Sequence, residues 1–240
     1  MRIATWNVDR GRAGGKGFCD ILEVVRDIGA DIWILTEAPV SVDIPSTVAF
    51  RSMPESPNGE GNDVWTAVHV STSARANRCA LSSHPLTAAV EVDLGPQRLL
   101  IYGSVLPWGT AAPYLPTGVG GHHAGTALFL HVLKQQVREI EMVRMHRPDR
   151  HLVFAGDFNQ ALDGPLSGGS RDGQVALRSA LGRLRLVAAT ADQPHSLPGM
   201  KSIDHICVPS SWVVRAVTTI QPRNSAGRPI SDHACYVVDL

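Results

Sequence analysis

The stretch Leu152-Val153-Phe154-Ala155-Gly156-Asp157-Phe158-Asn159 places polar residues directly after a short apolar run. Four apolar residues bounded in this way are typical of a buried strand. Because a rigid scaffold can aim side chains from strand ends at one ligand, we predict that Asp157 and Asn159 belong to a functional site. The same residues would also fit an Asx turn that does nothing more than end the strand.

Polar side chains recur at other predicted strand ends. The residues concerned are Asn7, Glu37, Asp204, Asp232 and His233. Carboxylates brought together in this way would repel one another and raise each other's pKa unless a cation neutralised them. Carboxylate and amide oxygens suit a hard ion such as Mg²⁺ or Mn²⁺ better than zinc. The sequence therefore predicts a divalent-metal site.

The spacing of apolar residues predicts an alternation of strands and helices. Helical spacing predicts helices at 18–28, 126–145 and 174–181. Short apolar runs between Ser, Pro, Gly and Asn clusters predict strands at 3–8, 31–37, 64–70, 78–81, 88–92, 99–106, 152–155, 186–189, 203–208, 213–220 and 234–238. A glycine-rich turn is predicted around 11–17, and a flexible loop at 109–125. The pattern favours one α/β domain over residues 1–240, with layered sheets and helices outside.

Composition narrows the class of protein. The 240 residues carry 22 Lys and Arg against 22 Asp and Glu, so the formal net charge is zero and no global field favours nonspecific binding of long duplexes. A hydrophobic fraction of 44% is enough for a sizeable core. The sequence predicts neither a secretory signal at the N-terminus nor a membrane-spanning run. The four cysteines lack metal-binding spacing, so we expect reduced, buried thiols in a cytoplasmic protein.

Five short motifs occur in a characteristic order along the chain. They are Thr5-Trp6-Asn7, Leu35-Thr36-Glu37, Gly156-Asp157-Phe158-Asn159, Ser202-Ile203-Asp204-His205 and Ser231-Asp232-His233. In this order they resemble the endonuclease/exonuclease/phosphatase superfamily, which includes DNase I-like nucleases, abasic-site endonucleases, inositol polyphosphate 5-phosphatases and neutral sphingomyelinases. The resemblance implies a four-layered α/β sandwich, in which two packed mixed β-sheets are flanked by helices, and a metal-dependent phosphoester hydrolase.

For the metal and the attacking water, the resemblance implies roles for four matching residues. Glu37 would hold at least one Mg²⁺ or Mn²⁺ ion with help from the Asn7 amide, and Asp232 would add a further ligand. Asp157 would activate or orient the attacking water. A metal and hydrogen-bond donors are needed because charge grows on the nonbridging oxygens of the phosphate as water attacks.

For the phosphoryl group, the resemblance implies roles for the remaining matches. Asn159 would hydrogen-bond the phosphate, and His233 would bind a phosphoryl oxygen or act as acid and base. Asp232 would also orient His233, since a carboxylate fixes the tautomer of an imidazole. Asp204 would either orient a second histidine or contact the metal.

The strand at 99–106 departs from the family pattern. Many members place a His or Tyr here to hold the phosphate, whereas the matching position in this chain falls near Ser104 or Val105. Tyr102 lies slightly earlier, and its parity along the strand decides whether it could substitute. Tyr114 or His122 from the flexible loop could also supply the donor. The candidates for substrate binding are Tyr102, Ser104, His122 and His123, although both histidines could instead be solvated loop residues.

The implied activity is hydrolysis of phosphoester bonds, and we expect a phosphodiesterase or nuclease acting on DNA or RNA. The alternatives are an enzyme acting on a small-molecule or lipid phosphate, such as an inositol phosphate or sphingomyelin, and a catalytically idle binding module. No protein partner is implied. Positive residues that could rim the site are Arg10, Arg12, Lys16, Arg223 and Arg228. Histidines without a motif, interpreted as surface or core residues, are His69, His84, His146, His151 and His195.

Overall fold

A computed structural model describes residues 1–9, 17–53, 63–164 and 168–240. The helices of this part of the chain are α1 (Gly17–Ile28), α2 (Gly125–His146) and α3 (Arg171–Leu184). The strands are β1 (Arg2–Asn7), β2 (Ile32–Pro39), β3 (Thr47–Arg51), β4 (Asp63–Ser71), β5 (Arg75–Arg78), β6 (Thr87–Leu94), β7 (Gln97–Val105), β8 (His151–Asp157), β9 (Leu186–Ala188), β10 (Asp204–Pro209), β11 (Ala216–Ile220) and β12 (Cys235–Asp239).

The described strands form two mixed sheets. The first has the order β11-β12-β1-β2-β4-β3, and the second has the order β5-β6-β7-β8-β10-β9. In each sheet one central pair is parallel, β1 with β2 and β7 with β8, and the other pairs are antiparallel. Because parallel neighbours end at the same edge, β1 and β2 deliver their last residues to one rim of the first sheet.

An aliphatic layer joins the two sheets face to face. The first sheet contributes residues such as Ile3 and Ile34, and the second contributes Ile101, Val153 and Ile206, all of them fully buried. Gly103 on β7 permits the close approach, since a Cβ atom there would lie 2.7 Å from a methyl carbon of Val68. Burial of this layer is the main force that holds the sheets together.

The helices cover the outer faces of the sandwich. Helix α1 packs Ile21 and Val25 against the first sheet around Trp6. Helices α2 and α3 pack against the second sheet around Tyr102 and Phe154. The sequence therefore predicted the fold class correctly: two packed mixed sheets flanked by helices, in four layers.

Several predicted elements differ in detail from those observed. Strand β3 was not predicted; it lies at the edge of the first sheet and is only half-buried, so its apolar pattern is weak. Strand β5 ends where the sequence predicted a strand at 78–81 to begin. The predicted helix at 174–181 starts earlier, because Ser170 caps it by accepting a hydrogen bond from the Gly173 N–H at 3.1 Å. Most of the predicted turn at 11–17 lies outside the described residues.

Two further expectations concern membrane-spanning segments and the cysteines. No helix in the described ranges is long and apolar enough to cross a membrane. The four cysteines are free thiols. Cys79, Cys207 and Cys235 are buried as expected, but Cys19 on α1 is exposed.

The buried His69 on β4 makes stability depend on pH. Burial, reinforced by the nearby Arg51 charge, lowers the pKa of this fully buried imidazole from 6.5 to about 4. The unfolded chain therefore takes up a proton before the folded chain does as the pH falls. The contribution of neutral His69 is complete above pH 6.5, and its loss on acidification to pH 4 is about 3 kcal/mol.

We expect His69→Gln to flatten this part of the pH dependence. Urea unfolding of the wild type and the variant between pH 7 and pH 4 measures it. The wild type should lose more free energy of unfolding over this interval than the variant. Parallel curves for the two proteins would show that His69 does not set the acid sensitivity.

Candidate active site

The candidate site lies where the aliphatic layer reaches one rim of the sandwich. Side chains alternate along a strand, so Asn7 shares the face of Ile3, and Asp157 shares the face of Val153. Asp204 follows the same rule on β10 and shares the face of Ile206. The side chains of Asn7, Asp157 and Asp204 therefore lie on the inner faces of the two sheets, at the end of the apolar layer.

Asn7 bridges the two sheets. Its Nδ2 donates to Asp157 Oδ2 at 2.9 Å and to Glu37 Oε1 at 3.3 Å. Asn7 ends β1 and Glu37 lies near the end of the neighbouring β2 in the first sheet, whereas Asp157 ends β8 in the second. One amide thus holds two buried carboxylates in fixed positions.

Local turns fix these side chains. Asp157 Oδ1 accepts the backbone N–H of Asn159 at 2.8 Å, and Asn7 Oδ1 accepts the backbone N–H of Asp9 at 2.9 Å. The Asx turn that sequence offered as an alternative to a functional role is present, and it leaves Asp157 in the cluster. Asn159 Nδ2 donates to the Leu106 carbonyl at 2.9 Å.

Glu37 and Asn159 both adopt a left-handed backbone conformation, each with φ of 48°. Asparagine tolerates this region, but glutamate does so at a cost in free energy. Surrounding structure must over-determine the backbone at Glu37, and such strain is found disproportionately at functional sites.

The second half of the site centres on Asp204, which lies opposite Asp157 in the β8–β10 pair. Its Oδ2 accepts a 2.7 Å hydrogen bond from His233 Nδ1. The turn before β12 brings His233 to this position: Ser231 Oγ donates to the Asn7 carbonyl at 2.7 Å and accepts the His233 N–H at 3.0 Å. Both halves therefore meet at the end of β1.

The pairing of His233 differs from the sequence-based expectation. We expected Asp232 to orient His233, but the Asp232 side chain is 74% exposed, and its Oδ1 lies 4.0 Å from His233 Nε2. Asp204 makes the contact with Nδ1 instead, because strand β10 holds it inside the rim while Asp232 lies in the turn that faces solvent. His233 Nε2 remains on the side opposite the bond to Asp204.

His195 belongs to the cluster, although sequence reasoning assigned it no role. It lies in the segment between β9 and β10, it is 7% exposed, and its ring centroid is 5.2 Å from that of His233. One nitrogen of each histidine and one oxygen of Asp204 lie within 4.8 Å of one another. No local motif marks His195, because only the tertiary fold brings it here.

Two of the predicted substrate-binding residues face away from the site. Tyr102 and Ser104 alternate with the residues of β7 that fill the layer between the sheets, so both point towards α2. The Tyr102 hydroxyl donates to Glu139 Oε1 at 2.7 Å, and Ser104 Oγ donates to Gln136 Oε1 at 2.7 Å. Both are fully buried, so they cannot contact a substrate.

The loop between β7 and α2 carries the other two candidates. His122 and His123 are exposed, and the ring of His123 packs against His131 of α2 with centroids 4.4 Å apart. Tyr114 is 60% exposed and stacks on Trp108 with centroids 6.1 Å apart. Contact of these side chains with a substrate stays a prediction.

A cavity of about 400 Å³ opens beside Asn159. Its lining comes from the loop after β7, the start of α2, the segment after β8 and the segment before β10. Among the described residues that line it, none carries an ionisable side chain, and the larger ones are Pro107, Trp108, Phe129, Asn159, Gln160, Met200 and Ile203.

The buried groups perturb one another electrostatically. Burial, reinforced by the Asp204 charge, raises the pKa of Asp157 from 3.8 to about 7. Burial alone would lower the pKa of His233, but the adjacent Asp204 carboxylate outweighs it and raises the pKa to about 10. In the absence of a cation, His233 is therefore protonated and Asp157 holds its proton more tightly than an exposed aspartate does.

Comparison with known proteins identifies the family. A model of the endonuclease/exonuclease/phosphatase family matches residues 4–233. The chain belongs to this family. A search of curated protein sequences found no match. The family supports phosphoester hydrolysis as the general activity of the chain.

Solved structures share the fold over the whole chain. One is the endonuclease domain of TRAS1, a telomere-specific non-LTR retrotransposon, with a TM-score of 0.68 at 13% identity. The alignment covers 100% of this chain and 98% of the TRAS1 domain. The human Nocturnin catalytic domain has a TM-score of 0.67 at 17% identity, with coverage of 100% and 92%. A mannosyl-6-phosphatase from Bacteroides thetaiotaomicron has a TM-score of 0.67 at 14% identity, with coverage of 100% and 98%.

The donor set of this family member fits a hard divalent cation. Glu37, Asp157 and Asp204 are all buried at this rim. The charges of Asp204 and Glu37 contribute to the raised pKa of Asp157. Carboxylate and amide oxygens at one rim are the ligands that Mg²⁺ and Mn²⁺ accept.

The contact between Asp204 and His233 can be tested by titration. In metal-free protein, Asp204→Asn should lower the pKa of His233 well below its value of about 10, because the adjacent charge is removed. Asp232→Asn, which changes a largely exposed carboxylate, should lower it less. NMR titration of the His233 ring measures both. A larger effect from Asp232→Asn would favour the sequence-based pairing.

Proposed function

We propose that this chain is a Mg²⁺- or Mn²⁺-dependent phosphodiesterase that cleaves DNA or RNA by attack of water on phosphorus. The observation that carries the proposal is the pair of hydrogen bonds from Asn7 to Asp157 and from His233 to Asp204. Together they place a fixed carboxylate and an oriented imidazole at the same rim. Such a pair can align a water on one side of a phosphate and donate to its oxygens.

Asp157, Asn159 and His233 have separate roles in this reaction. Asp157 orients the attacking water, because hydrogen bonds from Asn7 and from the Asn159 backbone fix both of its oxygens. Asn159 positions the phosphate. His233, held at Nδ1 by Asp204, presents Nε2 to a phosphoryl oxygen.

Glu37 and Asn7 would hold the cation, with Asp232 as a further ligand from the solvent side. When bound, the ion polarises the phosphoryl oxygen and offsets the charge that develops there. Asn7 also keeps the Glu37 and Asp157 carboxylates at a fixed separation, so its role does not depend on direct ligation alone.

A second candidate is a phosphatase that acts on a small phosphate ester. The cavity beside Asn159 supports it, because about 400 Å³ lies within the size range of small-ligand sites. Its uncharged lining favours a substrate with a neutral group next to the phosphate over an inositol polyphosphate, whose several phosphates would need cationic partners.

The exposed Arg223 and Arg228 precede the last motif and would favour a nucleic-acid backbone.

We also propose that residues 1–240 act as one catalytic domain, since the site draws on residues from Asn7 to His233. A cytoplasmic location is part of the proposal and is supported by the four free thiols.

A substrate panel tests the activity. It comprises supercoiled plasmid, an abasic-site duplex, RNA, bis-p-nitrophenyl phosphate, sugar and inositol phosphates, and sphingomyelin, each with Mg²⁺, Mn²⁺ or EDTA. We expect turnover that EDTA abolishes and that Asp157→Asn reduces by about 10²–10⁴-fold. Asp172→Asn in the first turn of α3 is the matched control and should retain activity. Folded protein that leaves every substrate intact would favour a binding module.

The role of Glu37 predicts a change in metal dependence. Glu37→Gln keeps the size of the side chain but removes the charge, so it should raise the Mg²⁺ concentration needed for half-maximal rate. Metal titration of the rate at saturating substrate measures this. An unchanged titration curve would remove Glu37 from the proposed ligands.

A further inference from the structure

Two buried polar atoms in the site have no hydrogen-bond partner among the described residues. They are Oδ1 of Asp204 and Nε2 of His195. Leaving such atoms unpaired is unfavourable, and more so for a charged group. Because both residues lie beside the His233 ring, the pairing of these atoms bears on the orientation of His233 as well as on stability.

The hydrogen bonds of His195 determine which of its nitrogens carries the proton. The Leu197 backbone N–H, which can only donate, approaches His195 Nδ1 at 3.0 Å, and Ser196 Oγ lies 3.1 Å from the same nitrogen. A nitrogen that accepts a hydrogen bond carries no proton, so the proton of this ring is on Nε2. The unpaired nitrogen is therefore a donor, whereas the unpaired Asp204 Oδ1 is an acceptor.

His195 and Asp204 lie close together, and both lie beside His233. The other oxygen of Asp204, Oδ2, is already bonded to His233 Nδ1 at 2.7 Å. The two imidazole rings meet edge to face at 64°, and one nitrogen of each lies within 4.8 Å of an Asp204 oxygen. Asp204 thus lies between two imidazoles and is bonded to one of them.

The backbone around His195 is held by the segment before β10 and by strand β12. The His195 N–H donates to the Met200 carbonyl at 3.0 Å, shortly before β10. The preceding carbonyl, of Pro194, accepts a hydrogen bond from the Tyr236 hydroxyl of β12 at 2.9 Å. The ring is therefore fixed relative to Asp204 and His233, as a positioning residue must be.

We propose that His195 is a positioning residue whose Nε2–H is linked to Asp204 Oδ1 through one bridging water. A carboxylate held at one oxygen can rotate about its Cβ–Cγ bond, whereas one held at both oxygens cannot. His195 thereby fixes the plane of Asp204 and, through it, the direction of His233 Nε2. The catalytic consequence rests on the function proposed above, but the hydrogen bond does not.

Two substitutions separate the donor from the bulk of the ring. His195→Gln places an amide N–H near the position of Nε2, whereas His195→Met has similar size and no donor. Outer-shell partners of metal-ligating groups are worth about 10–100-fold in activity, and by analogy we expect His195→Met to lower kcat by about that factor with KM little changed. His195→Gln should recover most of the rate, and His146→Met at the exposed end of α2 should leave it unchanged.

Side-chain ¹⁵N NMR with Mg²⁺ present tests the hydrogen bond independently of turnover. His195 should show the Nε2–H tautomer, and His195→Met should shift the Nδ1–H signal of His233 while His146→Met does not. Wild-type kcat in folded His195→Met, a His195 proton on Nδ1, or an unmoved His233 signal would overturn the proposal. If no substrate is turned over by the wild type, the function proposed above fails, and the NMR result alone decides the role of His195.

Discussion

The hydrogen bond from Asn7 to Asp157 connects two sheets that share no backbone pairing at this point, so its 2.9 Å length depends on how the sheets pack. The aliphatic layer between them sets that distance. Close-packed interiors transmit small changes in volume, and a change in the layer would therefore be felt at the rim. The positions of the Asp157 and Glu37 carboxylates thus depend on hydrophobic packing some distance from any chemistry.

Local turns convert this global constraint into side-chain directions. Asn7, Asp157 and Ser231 each accept, through a side-chain oxygen, the backbone N–H two residues further on. The same side chains then make long-range contacts: Asn7 with Asp157, and Ser231 with the Asn7 carbonyl. Asp157 thus both ends a strand and belongs to the site. The interpretation as an Asx turn and the interpretation as a functional residue therefore do not exclude each other.

The predictability of the structure follows from the range of the interactions involved. Periodicity located most strands and the three helices, because burial acts on runs of residues. It could not assign Tyr102 to a face, since β7 is buried on both sides and the apolar pattern is continuous. His233 is paired with Asp204 and not with Asp232 because of the β8–β10 register. His195 comes close to His233 because of the path of the segment between β9 and β10. Neither has a signal in the local sequence.

Charge is distributed unevenly around the rim, and this bears on how the site would bind its substrate. Buried carboxylates from both sheets crowd one side, where a cation and the His233 imidazole can offset them. The cavity beside Asn159 is uncharged along its described lining. A phosphate ester bound between the two would meet compensating charge at its phosphorus and apolar or neutral surface at its adjoining group. For a small ester bound in this way, specificity would come from the shape of the cavity, whereas a nucleic acid would also meet the charges of Arg223 and Arg228.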